Sequence, residues 1–90
     1  MSEHYKILIS RAAWKELMQF EESQQFRFFD AIEALEGNPR PDGCTKLAGD
    51  ENFYRVRVGN YRIVYEIRDS VLIVTVVKVR HRREVYRKNK

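Results

Sequence analysis

The stretch from residue 53 to residue 67 leaves the chain little choice of fold. Two alternating runs, Phe53-Tyr54-Arg55-Val56-Arg57-Val58 and Tyr61-Arg62-Ile63-Val64-Tyr65-Glu66-Ile67, are separated by Gly59-Asn60 alone. Successive side chains on a strand point to opposite faces, so alternation with period two is a strand signal. A connection of two residues that tolerate positive φ is the chemistry of a tight antiparallel hairpin. Tyr54, Val56 and Val58 then share a face with Tyr61, Ile63, Tyr65 and Ile67, and Arg55, Arg57 and Arg62 lie on the other. The apolar face has to be buried against another layer.

The rest of the chain supplies that layer. Arg68-Asp69-Ser70 turns again, and residues 72–79 are nearly continuously apolar, as expected of a central strand buried on both sides. Upstream, Tyr5-Lys6-Ile7-Leu8-Ile9 reads as a short strand, and Ser10 offers a hydroxyl to cap the next segment. Across residues 11–20, Ala13, Leu17 and Phe20 recur at i, i+4 and i+7, with Trp14 and Met18 widening the stripe: one helix. Ser23 can cap a second, in which Phe28, Ile32 and Leu35 repeat the spacing and Phe29 adds to it. Trp14, Phe28 and Phe29 are read as core. Gly37, Pro39 and Pro41 end the helical pair, and residues 38–52 form one extended connection with turns at Asn38-Pro39, Asp42-Gly43 and Gly49-Asp50. The order β-α-α-β-β-β predicts an α+β fold, a two-helix hairpin packed on a mostly antiparallel four-stranded sheet, with a short basic C-terminal tail. Ninety residues suit a single domain spanning 1–90.

A single cysteine, Cys44, cannot form an internal disulfide. The first residues show no basic segment followed by an apolar stretch, and no window has the roughly 18 apolar residues of a membrane span. A cytoplasmic location is expected, with no membrane partner. Charge is unevenly divided: residues 1–51 hold 6 Lys/Arg against 10 Asp/Glu, and residues 52–90 hold 11 against 3, so a half of −4 precedes a half of +8. The second half suits a polyanion, nucleic acid or an acidic protein, or forms a solvated basic face.

Three arginines on one sheet face, Arg55, Arg57 and Arg62, call for an anion, and Glu66 is the one nearby strand carboxylate. They form a phosphate-binding face, or an ordinary polar face whose stems cover apolar sheet. After the last strand comes Arg80-His81-Arg82-Arg83-Glu84-Val85-Tyr86-Arg87. His81, among cations that disfavour its charged form, is either a general base or a surface histidine of a basic tail. Tyr86 either stacks on a base or takes part in proton transfer, or else pins the tail to the core. There is no glycine-rich phosphate loop, no HExxH and no paired-cysteine pattern, and His4, Cys44 and His81 are too scattered to suggest a metal. Cys44 has no neighbour to activate it as a nucleophile.

Four segments in order, Asn38-Pro39-Arg40-Pro41, Lys46-Leu47-Ala48-Gly49, Tyr54 to Tyr65 and His81-Arg82-Arg83-Glu84-Val85-Tyr86, resemble the RelE branch of the RelE/ParE toxins of type II toxin–antitoxin systems. The resemblance runs from the first strand to Tyr86 and implies a helical hairpin on a curved antiparallel sheet. It implies a metal-independent endoribonuclease, without cofactor, that cuts messenger RNA in the ribosomal A site and so inhibits translation. The 2′-hydroxyl attacks the adjacent phosphorus and leaves a 2′,3′-cyclic phosphate. By the same resemblance the catalytic positions are Arg57, Arg62, Arg82 and Tyr86, with Arg83 the alternative to Arg82. Arg57 and Arg62 would neutralise the phosphate oxygens, Arg82 would steady the leaving 5′-oxygen, and Tyr86 would stack or orient the attacking hydroxyl. Arg55 would position the RNA backbone, with Arg80, Arg83 and Arg87 as further RNA-binding residues.

Some relatives have lysine where Arg55 and Arg57 stand. Arginine cannot give up its proton, so a general-base role does not pass to Arg57, and His81 is the residue left for it. Arg80 stands where relatives often have glycine. The resemblance also implies a cognate antitoxin, which the +8 half and apolar grooves beside the helices would dock. The rival expectation is a ParE-like inhibitor of DNA gyrase, or a non-catalytic nucleic-acid-binding module.

Overall fold

The structure, a computed structural model, describes residues 4–47, 49 and 52–81. In chain order the elements are β1 (Lys6–Ile9), α1 (Arg11–Leu17), α2 (Glu22–Ala34), β2 (Thr45–Lys46), β3 (Phe53–Val58), β4 (Tyr61–Arg68) and β5 (Ile73–His81). The strands form one sheet in the order β1-β5-β4-β3-β2; β1 runs parallel to β5 and the other neighbours are antiparallel. The fold is therefore α+β and mostly antiparallel, but the sheet has five strands rather than the expected four. Thr45 and Lys46 pair with Arg55 and Tyr54, inside the segment expected to be a plain connection. Two residues are too few to show alternation. What orders them is the row of unpaired backbone groups along the outer edge of β3.

The central hairpin has the expected register: Val58 faces Tyr61, Arg57 faces Arg62 and Arg55 faces Val64. Gly59 alone of the turn pair has positive φ, at 63°, which suits a turn with glycine in the first central position. The helices cover the face carrying Tyr61, Ile63, Tyr65 and Ile67. Ala13, Leu17, Phe28, Ile32 and Leu35 pack there against Val58, Ile63, Tyr65, Ile67, Val74, Val76 and Val79.

The helix boundaries differ from expectation. Ser10 caps α1, its Oγ accepting from the Ala13 N–H at 3.1 Å, but the helix stops at Leu17, and Gln19 and Phe20 close tighter turns onto Glu16 and Leu17. Phe20 still reaches the core, edge-on to Phe28 with ring centroids 4.9 Å apart. In α2 the N-cap is Glu21, which makes no side-chain cap bond, and Ser23 falls within the first turn. Phe28 is fully buried and Phe29 partly so, whereas Trp14 is 47% exposed, its ring tilted against that of Phe29 at 5.9 Å. The expectation that Trp14 is core is corrected accordingly: its side of α1 looks outward.

The last strand also departs from expectation. It runs to His81, and it is buried on one face only, through Val74, Val76 and Val79. The step from two to three in that spacing marks a bulge: Tyr65 faces Val76 while Val64 faces Lys78, so Val77 is the extra residue. A continuous apolar run conceals such a parity change. Its effect is to turn Val79 into the core and to set Lys78 and Arg80 on the uncovered face. At the opposite end of the sheet, the loop after α2 is tied down. The buried Tyr65 hydroxyl donates to the Pro39 carbonyl at 2.7 Å, and Arg40 forms a bidentate pair with Asp69, at 2.8 and 3.2 Å, while lying over the Tyr54 ring. Among the described residues, no helix is long and apolar enough to cross a membrane.

Candidate nucleic-acid interface

The register of the hairpin and the bulge of β5 together build a row of arginines across three strands on the face away from the helices: Arg57 on β3, Arg62 on β4 and Arg80 on β5. Beside it runs a second row, Thr45, Arg55, Val64 and Lys78. Directly opposed residues on one face have Cβ atoms about 4.5–5.5 Å apart, so like charges placed there repel. A chain selected for stability alone would not line up three guanidiniums in this way.

Arg55, Arg57 and Arg62 converge with Thr45 and Gly43 on one polar cavity of about 240 Å³. Arg62 is the unusual member. It is only 6% exposed, and it is the one charged side chain among the described residues that is buried. Its guanidinium folds back to donate from Nη1 to the carbonyl of Tyr61 at a long 3.3 Å. Glu66, the strand carboxylate noted in the sequence, is instead within 3.4 Å of Arg68. Among the described residues neither Arg57 nor Arg62 has a carboxylate partner. A buried cation without one carries a desolvation cost that an incoming anion relieves. Five fixed N–H donors on each guanidinium suit the oxygens of a phosphate, which can be bound bidentately.

The fate of the other expected residues varies. Arg80 shares the open face by register, yet its guanidinium is ion-paired with Glu16 of α1. His81 pairs with Tyr61, so it sits on the helix-covered face, edge-on to the Tyr61 ring at 5.2 Å. Its ring seals an aromatic group made with Phe20 and Phe28. It lies across the sheet from the cavity, because His81 is the last residue of β5 and not the first residue of a loop beyond it. Arg82, Arg83, Tyr86 and Arg87 lie outside the described residues.

Two cavity residues were not expected from the sequence, Gly43 and Thr45. Thr45 is carried in by β2 and Gly43 by the turn just before it, and the only sign of them was a β-branched residue between the glycines at 43 and 49. Among the described residues no group of three or more His, Cys, Asp or Glu side chains could hold a metal ion. On the helix side lies a shallow apolar groove of about 280 Å³, lined by Ile7, Ile9, Phe29 and Ile32 and rimmed by Glu33 and Glu36.

Known proteins share this architecture. Residues 7–86 match the model of the ParE toxin of type II toxin–antitoxin system, parDE. A chain of the crystal structure of the archaeal RelE–RelB complex from Pyrococcus horikoshii OT3 superposes with a TM-score of 0.79 at 26% identity, over 88% of this chain and 96% of that one. A chain of the RelB–RelE antitoxin–toxin complex from Methanococcus jannaschii is 28% identical over 92% of this chain and 99% of its own, with a TM-score of 0.70. The isolated E. coli RelE toxin, at 25% identity, covers 93% of each chain with a TM-score of 0.75.

Proposed function

Since the chain belongs to the RelE/ParE toxin superfamily of type II toxin–antitoxin systems, we propose that it is a RelE-like toxin that inhibits translation by cutting messenger RNA, with the arginine cavity as its phosphate site. The observation that carries this reading is Arg62, a buried cation with no carboxylate among the described residues, opening on a cavity shared with Arg55 and Arg57. In the proposed reaction the 2′-oxygen forms a bond to phosphorus, the bond from phosphorus to the 5′-oxygen breaks, and a 2′,3′-cyclic phosphate remains. Arg57 and Arg62 neutralise the negative charge that grows on the phosphate oxygens, and Arg55 holds the backbone. The guanidiniums supply the positive charge, so the reading requires neither metal nor cofactor.

Proton transfer falls to other groups. A guanidinium does not give up its proton at any working pH, which excludes Arg57, and His81 is separated from the cavity by the sheet. By the family resemblance Tyr86 orients the attacking 2′-hydroxyl and Arg82 steadies the leaving 5′-oxygen by its charge, without giving up a proton, with Arg83, Arg87 and Lys78 along the RNA. The 2′-proton passes to water and the 5′-oxygen takes one from water. The cognate partner is an antitoxin, as in the RelE–RelB complexes of the relatives. Its acidic side chains would cover the arginine face, and its apolar ones would enter the groove beside Ile7 and Phe29.

The test is cleavage of a defined message on programmed ribosomes. Cuts in the A site with cyclic-phosphate ends are expected, unaffected by EDTA, lost in Arg62→Ala and sharply reduced in Tyr86→Phe. Intact message with active ribosomes would remove the nuclease reading. The matching family model is that of the ParE toxin, which favours gyrase as the second target. Inhibition of gyrase supercoiling by the pure protein would establish that alternative.

A further inference from the structure

Glu16 does two things that the fold does not otherwise provide for. β1 pairs with β5 only as far as Ile9 and Val76, so beyond that point the outer edge of β5 has lost its strand neighbour. The start of α1 takes over: the Ser10 N–H donates to the Val76 carbonyl at 2.9 Å, and Oε1 of Glu16 accepts from the Val79 N–H at 2.9 Å. The second carboxylate oxygen, Oε2, holds Nη1 of Arg80, which also donates to the Val79 carbonyl at 3.0 Å. Both side chains are about one-third exposed, 31% for Glu16 and 36% for Arg80.

Arg80 stands directly across from Arg62, which stands across from Arg57. Its Cα therefore belongs to the cationic row, but its charge has been drawn sideways, over the edge of β5 and onto a helix. A third guanidinium released into that row would add to the repulsion already present there and to its attraction for phosphate. We propose that Glu16 is a positioning residue that restrains Arg80, withholding one guanidinium from the phosphate-binding face. Nucleic acid that engages Arg80 does so by displacing an internal carboxylate, one anion exchanged for another. The consequence for RNA rests on the cavity being a phosphate site; the restraint of Arg80 itself does not.

Glu16→Gln separates the two duties. The amide oxygen of glutamine still accepts from the Val79 N–H, so the strand edge stays satisfied, while the neutral side chain no longer holds the Arg80 cation. The first readout is chemical and involves no RNA: labelling of arginines by phenylglyoxal, followed by mass spectrometry of the peptides. Arg80 is expected to label slowly in wild type and several-fold faster in Glu16→Gln, with an unchanged melting temperature. Equal rates would overturn the proposal.

The second readout is affinity for a short, fully 2′-O-methylated RNA, which cannot be cut. One more phosphate contact on a single strand steepens the slope of log affinity against log salt by about 0.7, or about a fivefold gain at 0.1 M salt from counterion release. Glu16→Gln is expected to show both, and the double variant Glu16→Gln/Arg80→Ala to match Arg80→Ala alone. Weaker binding by Glu16→Gln would mean that Glu16 presents Arg80 to RNA, and would also overturn the proposal. Arg62→Ala is the control that keeps the two readings apart. Binding unaffected by Arg62→Ala would discard the phosphate site, and the labelling result would still decide whether Glu16 restrains Arg80.

Discussion

Arg62 shows how one side chain can serve function against stability. A guanidinium that is 6% exposed and faced across the sheet by Arg57 and Arg80 has, among the described residues, one long hydrogen bond to the Tyr61 carbonyl to offset its lost hydration. Replacing even a buried ion pair with well-packed apolar residues of similar volume is often neutral or stabilising, by about 1–4 kcal/mol, and a cation without a counterion has less attraction to lose. Arg62→Met is therefore expected to raise Tm by roughly 5 °C or more, since about 1 kcal/mol moves a domain of this size by roughly 4–8 °C. The same variant should lose about a hundredfold or more in RNA cleavage. Thermal melting beside a single-turnover cleavage assay checks both. A variant less stable than wild type would show that Arg62 has a favourable internal partner. The alternation around Arg62 was legible in the sequence; its burial was not, because burial depends on what stands across the strand.

Among the elements, the loop after α2 depends most on individual contacts. Asp69, in the turn between β4 and β5, accepts from Arg40 and from the Tyr5 hydroxyl at 2.6 Å, which links that loop, β1 and the turn. The Arg40 guanidinium, and then the Tyr5 hydroxyl, hold the Asp69 carboxyl below its ordinary range. A carboxyl whose pKa is depressed by folding contributes stability above its unfolded pKa, about 3.9, and loses it as pH falls through the lower folded value. The Tm gap between wild type and Asp69→Asn is thus expected to be level from neutral pH down to about pH 4 and to narrow in more acid solution. A gap that stays level to pH 2 would mean that the carboxylate charge is not what ties the loop. Position matters for β2 as well. That strand carries Thr45 to the cavity although its own sequence is too short to announce a strand.

At the scale of the whole molecule, charge and topology work together. The helices and β1 come from the half with a net −4, and the hairpin and β5 from the half with a net +8. Because the helices cover one face of the sheet, the cationic side chains of β3, β4 and β5 collect on the other. RNA binding by three arginines is expected to follow a slope of about −2 in log affinity against log salt, and Arg57→Ala should make it shallower by about 0.7. A titration from about 50 to 300 mM salt measures it. A slope near zero would show that phosphate contacts do not drive the binding.

What the sequence determined by itself was mostly local. The Gly59-Asn60 turn between two alternating runs settled the hairpin and its register, and with them the pairing of Arg57 with Arg62. The 3.6-residue spacing of Ala13, Leu17, Phe28 and Ile32 identified the two helices and the residues they bury. Tertiary structure decided what depends on distant neighbours. The fifth strand exists because β3 offers an unpaired edge, and Trp14 is left half exposed beside Phe29 although it falls at the edge of the helical stripe. The bulge at Val77 assigned Arg80 to the cationic face and His81 to the aromatic one, a parity change that a run of apolar residues cannot reveal. Glu16, 64 residues earlier, reaches Arg80 only because α1 takes the place of a strand along the open edge of β5. Alternation and helical periodicity act between near neighbours, whereas edges, bulges and ion pairs are settled by which segments the packed core brings together.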